Sequence, residues 1–190
     1  QVFDANFVYK TTLGVTGESG SDDSHFAYPT GIAIDESGSI FIGDIDNQRV
    51  QKCSLNGFGY ICETLIGEPG INDGEFGHIS PRGIALDDEG RVYVADDCNG
   101  RVQVFDANGA FLTSVEGRRD KPFSTVEGIA VNKSGEIFIA DLFHHSIQIF
   151  SPGVPNWKQV NLNGFGSRSN AMASSIEEFE SQLYVGTANW

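Results

Sequence analysis

At 190 residues, 39% of them hydrophobic, the chain can bury a core as one domain, or as one domain and part of another. A formal net charge of −14 repels phosphate backbones and anionic lipid, so nucleic acid is set aside as a partner. No apolar run approaches the roughly 20 residues that a membrane helix needs, and membrane insertion is set aside with it. Twenty-three glycines and 20% charged residues suit short strands and tight turns better than helices.

The chain opens with QVFDAN at 1–6, and QVFDAN returns at 103–108. A strand followed by a turn is predicted at both places, with residues 1–17 forming two strands as 101–117 do. A linker with His25 and Phe26 follows. TGIAIDESGSIFIGDIDNQRVQKC (30–53) then reads as strand, glycine turn, strand, four-residue loop, strand. Cys53 and Cys62 flank SLNGFGYI, which has a hairpin look around Asn56-Gly57. They form either a cross-strand disulfide, which would argue for an oxidising compartment, or two small semi-buried residues, with Cys98 left over. A second linker carries Phe76 and His78. RGIALDDEGRVYVADDCNGRVQVF (82–105) and EGIAVNKSGEIFIADLFHHSIQIF (127–150) repeat the pattern. Phe41, Tyr93 and Phe138 recur at one station and are predicted core, while Phe26, Phe76 and Phe123 are predicted to wedge between units.

Steps of 52 and 45 residues between Gly31, Gly83 and Gly128 mark an array. The predicted fold class is all-β: a β-propeller of four-stranded antiparallel blades, three complete and two half, read as a segment of a larger propeller rather than a closed four-bladed ring. The run GIAxD, GxIFIxD, N-x-RVQ, preceded by G-x-F-x-x-P, resembles the NHL repeat. The resemblance covers about residues 1–151 and implies a propeller of a class whose members mostly bind macromolecules, with lyases and secreted sensor domains among the relatives. Residues 1–155 are read as NHL-type blades. Residues 156–190 are read as a divergent half blade or the start of a following domain, because their NGFG…N…LYVGT run resembles a bacterial-type secreted propeller module.

Asp44 with Arg49, and Asp96 with Arg101, face each other across a loop and are read as structural pairs. The third unit differs. Ser146 replaces the arginine, so Asp141 is expected to lose its partner, and Leu142 and Phe143 are expected to be exposed or half-buried beside His144 and His145. Asp141, Leu142, Phe143, His144 and His145 are therefore the candidate binding site. Asp141, His144 and His145 are also the candidate ligands for a divalent metal such as calcium or zinc, although the leading expectation is no cofactor. All four histidines are expected at one end of the blades.

The sequence carries no G-x-S-x-G, H-E-x-x-H or phosphate loop. The functional expectation is a non-enzymatic binding or scaffold propeller from a secreted or cell-surface bacterial protein, contacting a protein or glycan partner through one loop face. Open blade edges offer a route to self-association. The alternative is a metal-dependent propeller enzyme, a lyase or lactone hydrolase, with a His/Asp site near the central channel. Any export signal is expected to have lain upstream or to have been removed.

Overall fold

A computed structural model describes residues 1–117 and 123–151 in full, and the backbone of 158–160, 172–179 and 182–188. The described residues are all-β, interrupted by one 3-10 turn at Asp97–Asn99. β1 (Val2–Phe3) and β2 (Tyr9–Thr11) form a hairpin. β3 (Pro29–Ile34), β4 (Ile40–Asp44), β5 (Arg49–Leu55) and β6 (Tyr60–Ile66) form a four-stranded antiparallel sheet in sequence order. A short parallel pair, β7 (Glu68–Pro69) with β8 (Glu75–Phe76), shapes the linker. β9 (Ile84–Leu86), β10 (Val92–Asp96), β11 (Arg101–Phe105) and β12 (Phe111–Glu116) make the second sheet. β13 (Val126–Val131), β14 (Ile137–Asp141), β15 (Ser146–Phe150) and β16 (Lys158–Val160) make the third. β17 (Met172–Phe179) and β18 (Gln182–Ala188) pair with each other, and β17 lies against β13 and β14.

Three whole blades flanked by two hairpins are thus an arc of a propeller, as the repeat implies. The hairpins at its two sides belong to separate sheets, so the four-bladed ring is not formed. The NGFG…N run and the Arg118-Arg119-Lys121 cluster lie outside the described residues.

The sheets can stack because a glycine stands within, or directly ahead of, the first strand of each blade. A Cβ on Gly31 would collide with the carbonyl oxygen of Arg82, and one on Gly83 with that of Glu127. The neighbouring first strands touch backbone to backbone there, which no side chain allows. Between blades lie two continuous cores. One packs Phe41, Val50, Phe76, Val92, Val94 and Phe105; the other packs Tyr93, Val102, Phe123, Val126 and Ile139. The linker aromatics Phe76 and Phe123 are both buried, as wedges would be. The first strands border a hollow of about 320 Å³ lined by Ile32, Ile34, Leu86, Asp87, Val131 and Lys133. Ile32 is 62% exposed, whereas its counterparts Ile84 and Ile129 are 6% and 4% exposed.

The repeated QVFDAN makes the same turn twice. Asp4 Oδ1 accepts the amides of Asn6 and Val8, and Asp106 Oδ1 accepts those of Asn108 and Ala110. Beside these turns the chain places edge-to-face aromatic pairs, Phe3–Tyr9 and Phe105–Phe111, each with centroids 5.9 Å apart. The corresponding register pair in the first whole blade is Cys53 opposite Cys62, and these are bonded. A covalent link stands where the sister sheets stack rings. The turn beyond it is a four-residue loop, closed by the Asn56 amide bonding to the Gly59 carbonyl.

The disulfide closes a short loop, with a sequence separation of 9. Its loss is expected to cost about 2.5 kcal/mol by loop-closure entropy. Chemical denaturation of the wild type and of Cys53→Ala/Cys62→Ala checks the magnitude, and titration of the unfolded, unreduced protein should find one thiol, Cys98.

Candidate functional site

Each second strand ends on an aspartate buried beneath the loop that follows it. Asp44 Oδ1 accepts the amide of Ala27 in the preceding linker, at 2.6 Å. Its Oδ2 accepts Asn47 Nδ2 at 2.8 Å and Arg49 Nε at 2.9 Å. Arg49 in turn donates to the carbonyls of Ser21, Asp22 and His25, and Gln51 Nε2 donates to that of His25. The second blade repeats this. Asp96 accepts Gly77 N, Asn99 Nδ2, Arg101 Nε and Gln103 Nε2, while Arg101 and Gln103 donate to the linker carbonyls of Asn72 and Glu75. Asp44 and Asp96 are wholly buried, and Arg49 and Arg101 nearly so. A charge so placed is stable only when paired and hydrogen-bonded on every side, which these are.

The third blade keeps the arrangement with different donors. Asp141 does not lose its partner: Oδ2 accepts His144 Nδ1 at 2.8 Å and Gln148 Nε2 at 2.7 Å, and Oδ1 accepts Ser124 N at 3.2 Å. His144 occupies the station of Asn47 and Asn99. A neutral imidazole holding its proton on Nδ1 donates there as a carboxamide does. Ser146 Oγ, at the arginine station, finds no hydrogen-bond partner among the described residues.

Leu142 is buried at 5% exposure, matching Ile45, and its amide bonds to the Thr125 carbonyl. The expectation that it is exposed or half-buried therefore fails, because the repeat uses that station as an anchor into the core. His145 takes φ = 50°, and Gln48 and Gly100 take 52° and 63° at the same station, so it completes the loop's left-handed corner. Phe143 alone of the two apolar loop residues points outward, at 64% exposure.

With Nδ1 engaged, a metal at this loop would take His144 through Nε2, and Asp141 would orient the ring rather than ligate. His25 and His78 lie in the linkers, at the same end of the blades as His144 and His145. The His25 ring bonds to Asp22 at 2.8 Å, and His78 is exposed. Among the described residues no three histidine, cysteine, aspartate or glutamate side chains gather closely enough to hold a metal.

Two groups of residues are missed by the sequence reading. The glutamines Gln51, Gln103 and Gln148 tie strand to linker or aspartate, and their signal is plain: the third strand reads RVQ, RVQ and SIQ. The other is a charged cluster where the second and third blades meet. Arg82 pairs with Glu127 of the next blade, and its Nε lies 3.2 Å from Asp97 Oδ2. Asp97 Oδ1 accepts the Val126 amide at 2.9 Å. Burial pushes both carboxyls above their ordinary range, against the pull of Arg82. The signal was the station before GIA, which reads Thr30, Arg82 and Glu127.

A family model for the NHL repeat matches residues 26–53, 79–105 and 123–150. The chain is 34% identical over 125 residues to peptidyl-glycine alpha-amidating monooxygenase B of Xenopus laevis, covering 61% of this chain and 14% of that protein. It is 35% identical over 99 residues to the human NHL repeat-containing protein 3, covering 50% of this chain and 27% of that one. The chain thus spans less than a third of the length of either relative. Among solved structures, a nidogen/laminin complex aligns with a TM-score of 0.63 at 19% identity, over 87% of this chain and 59% of that one. A catalytically inactive virginiamycin B lyase from Staphylococcus aureus aligns with a TM-score of 0.59 at 15% identity, over 83% and 46%. Both show a shared propeller fold.

The aspartate stations differ in what their loss leaves behind. Asp96→Ala strands a buried guanidinium and is expected to cost about 3–5 kcal/mol. Asp141→Ala strands no guanidinium and should cost about 1–3 kcal/mol, a difference that urea denaturation resolves. Arg82→Met should raise the Asp97 and Glu127 carboxyls further. A carboxyl raised in the fold favours the folded state when protonated and loses that contribution as pH rises through its folded value. The destabilisation should therefore be larger at pH 8 than at pH 5, as paired melting curves would record.

Proposed function

With three NHL repeats in the chain, we propose that it is a non-enzymatic binding propeller that contacts a protein or glycan partner through the end of the blades carrying the linkers and the second-to-third-strand loops. The observation that carries this reading is Phe143. It stands in solvent on a loop whose neighbours are fixed: Asp141 and Leu142 are buried, and His144 is bonded to Asp141. Its counterparts in the sister blades are Asp46 and Cys98. A rigidly held, exposed aromatic flanked by His144 and His145 can enter a partner's pocket without losing much freedom. The Cys53–Cys62 bond supports an oxidising, extracellular setting. The likeness of fold to a chain of a nidogen/laminin complex supports this reading.

A second reading, a metal-dependent lyase, is favoured by relatives named as amidating enzymes and by the likeness of fold to virginiamycin B lyase. In this chain its reacting groups would be those where the second and third blades meet, where Arg82 could bind an anionic substrate group and a raised carboxyl could move a proton. A divalent metal would draw on His144 and His145.

An array of purified extracellular proteins and glycans, probed with the wild type and with Phe143→Ser, separates the readings. Binding that falls about tenfold in the variant while its melting temperature stays unchanged supports the binding propeller. Binding equal in both proteins removes Phe143 from the interface. His144→Ala with His145→Ala should lose thermal stability as well, because His144 holds Asp141. Metal retained by the wild type after dialysis and lost in that double variant would instead favour the lyase reading.

A further inference from the structure

The first-to-second and third-to-fourth strand turns emerge at the end of the blades opposite Phe143, and two of them end in a protruding aromatic. The β5–β6 hairpin runs two register pairs beyond Cys53–Cys62, whereas the sister sheet turns directly after the equivalent pair, Phe105–Phe111. It ends in Asn56-Gly57-Phe58-Gly59. Phe58 is fully exposed, and Leu55 and Ile61 behind it are about 60% exposed. Strand alternation puts Leu55 on the side of the disulfide and Ile61 on the other, so the extension is apolar on both faces and at its tip. Nothing from Ser54 to Cys62 is charged. Charge resumes directly behind the disulfide, where Lys52 and Glu63 stand opposite each other in register.

The loop at the tip satisfies donors of its own backbone. Asn56 N donates to the Gly59 carbonyl at 3.0 Å, and Phe58 N donates to Asn56 Oδ1 at 3.2 Å. A turn bonded in this way loses less on leaving water than an open one.

The β1–β2 hairpin lies alongside, with Val2 and Leu13 packed against Ile40, Ile42 and Cys53. Its turn presents Phe7 at 89% exposure. Phe7 takes φ = 61° at the station where Gly109 takes 84°. A bulky residue bears a strain there that glycine avoids, and so exposed a ring gains little packing in return. The charged group of this turn, Asp4, is paired with Lys10 at 3.1 Å.

We propose that this end of the blades makes a shallow contact with a zwitterionic lipid bilayer, entered by Phe58 and Phe7. A protein lying against one side of the β5–β6 hairpin would leave Leu55 or Ile61 in water, whereas a bilayer surrounds a tip on every side. Two neighbouring tips at one end also meet a flat surface together. Phe58, Leu55 and Ile61 would enter the boundary between headgroups and acyl chains, to a depth of roughly 5–10 Å. The amphipathic ring of Tyr60 would sit among the headgroups, and Lys52 and Glu63 would stay in water. The net charge of −14 sets anionic lipid aside, and the first-to-second turns at this end add exposed Glu36, Asp88 and Glu89. The disulfide fixes the tip before contact, so little freedom is lost on binding. The contact does not rest on the function proposed above, and it leaves the Phe143 end turned away from the membrane.

The probe is sucrose-loaded phosphatidylcholine vesicles, sedimented with the full chain. The wild type should pellet in proportion that rises with lipid. Phe58→Ser should weaken binding at least about tenfold, the transfer of one aromatic side chain, with an unchanged melting temperature. Phe58→Trp should keep the binding, and its emission should move to shorter wavelength when vesicles are added. Phe7→Gly should weaken binding without lowering the melting temperature. Replacing part of the phosphatidylcholine by phosphatidylserine should weaken binding, and added salt should restore it. No pelleting with phosphatidylcholine overturns the proposal. Equal pelleting of Phe58→Ser overturns it, and so does binding that strengthens with phosphatidylserine. Phe58-dependent binding to a member of the purified protein array, without vesicle binding, also overturns it and marks the hairpin as a protein contact.

Discussion

A buried carboxylate closing the end of each second strand is the interaction on which the rest of this propeller arc depends. Strand pairing alone would give separate antiparallel sheets. Asp44, Asp96 and Asp141 each accept one linker amide and at least two side-chain donors, so that linker, loop and third strand become one unit. The cost of burying the charge is offset only while all these donors are present. That requirement explains why Asn, Arg and Gln follow the aspartate at fixed spacing. The wedges Phe76 and Phe123 then enter cores between sheets because the linker that carries them has nowhere else to go.

Against that background the third blade is a conservative variation rather than a broken repeat. Histidine replaces asparagine with a ring nitrogen in place of a carboxamide, glutamine remains, and the arginine is dispensed with. The loop keeps its left-handed corner at His145 and its buried anchor at Leu142. What changes is what it shows to solvent. Phe143 replaces Asp46 and Cys98, and the outward side of His144 replaces a carboxamide. The scaffold supports a changed surface because the residues beneath it obey the same bonding rule.

Much of this was legible in the sequence. Glycine turns, β-branched strands and a period near 45–52 residues specify blades, and the shared QVFDAN places the first hairpin correctly. Asp44–Arg49 and Asp96–Arg101 are found by spacing alone, because a four-residue loop brings its two ends together. The third loop was misread for a definite reason. Its missing arginine is visible in one dimension, but the bond from His144 to Asp141 depends on a ring reaching back under the loop. Leu142 looks like a surface residue until its station is compared with Ile45. The charged cluster was hidden more deeply, since Arg82, Asp97 and Glu127 come from two blades and meet only when the first strands touch at their glycines.

The aspartate network also bears on how such a chain can be duplicated. The sheet is not its indivisible unit, because Asp96 bonds to the linker before its own blade, at Gly77, and its arginine reaches back to Asn72. A duplication copying β9–β12 alone would separate the carboxylate from the amide it must meet. One copying linker through third strand carries every partner along. The fourth strand makes no such demand, and it is here that the blades have diverged most: β6 grew a disulfide-clamped extension while β12 kept a short turn. Inheritance in this array should therefore be faithful from linker to third strand and permissive at the outer edge.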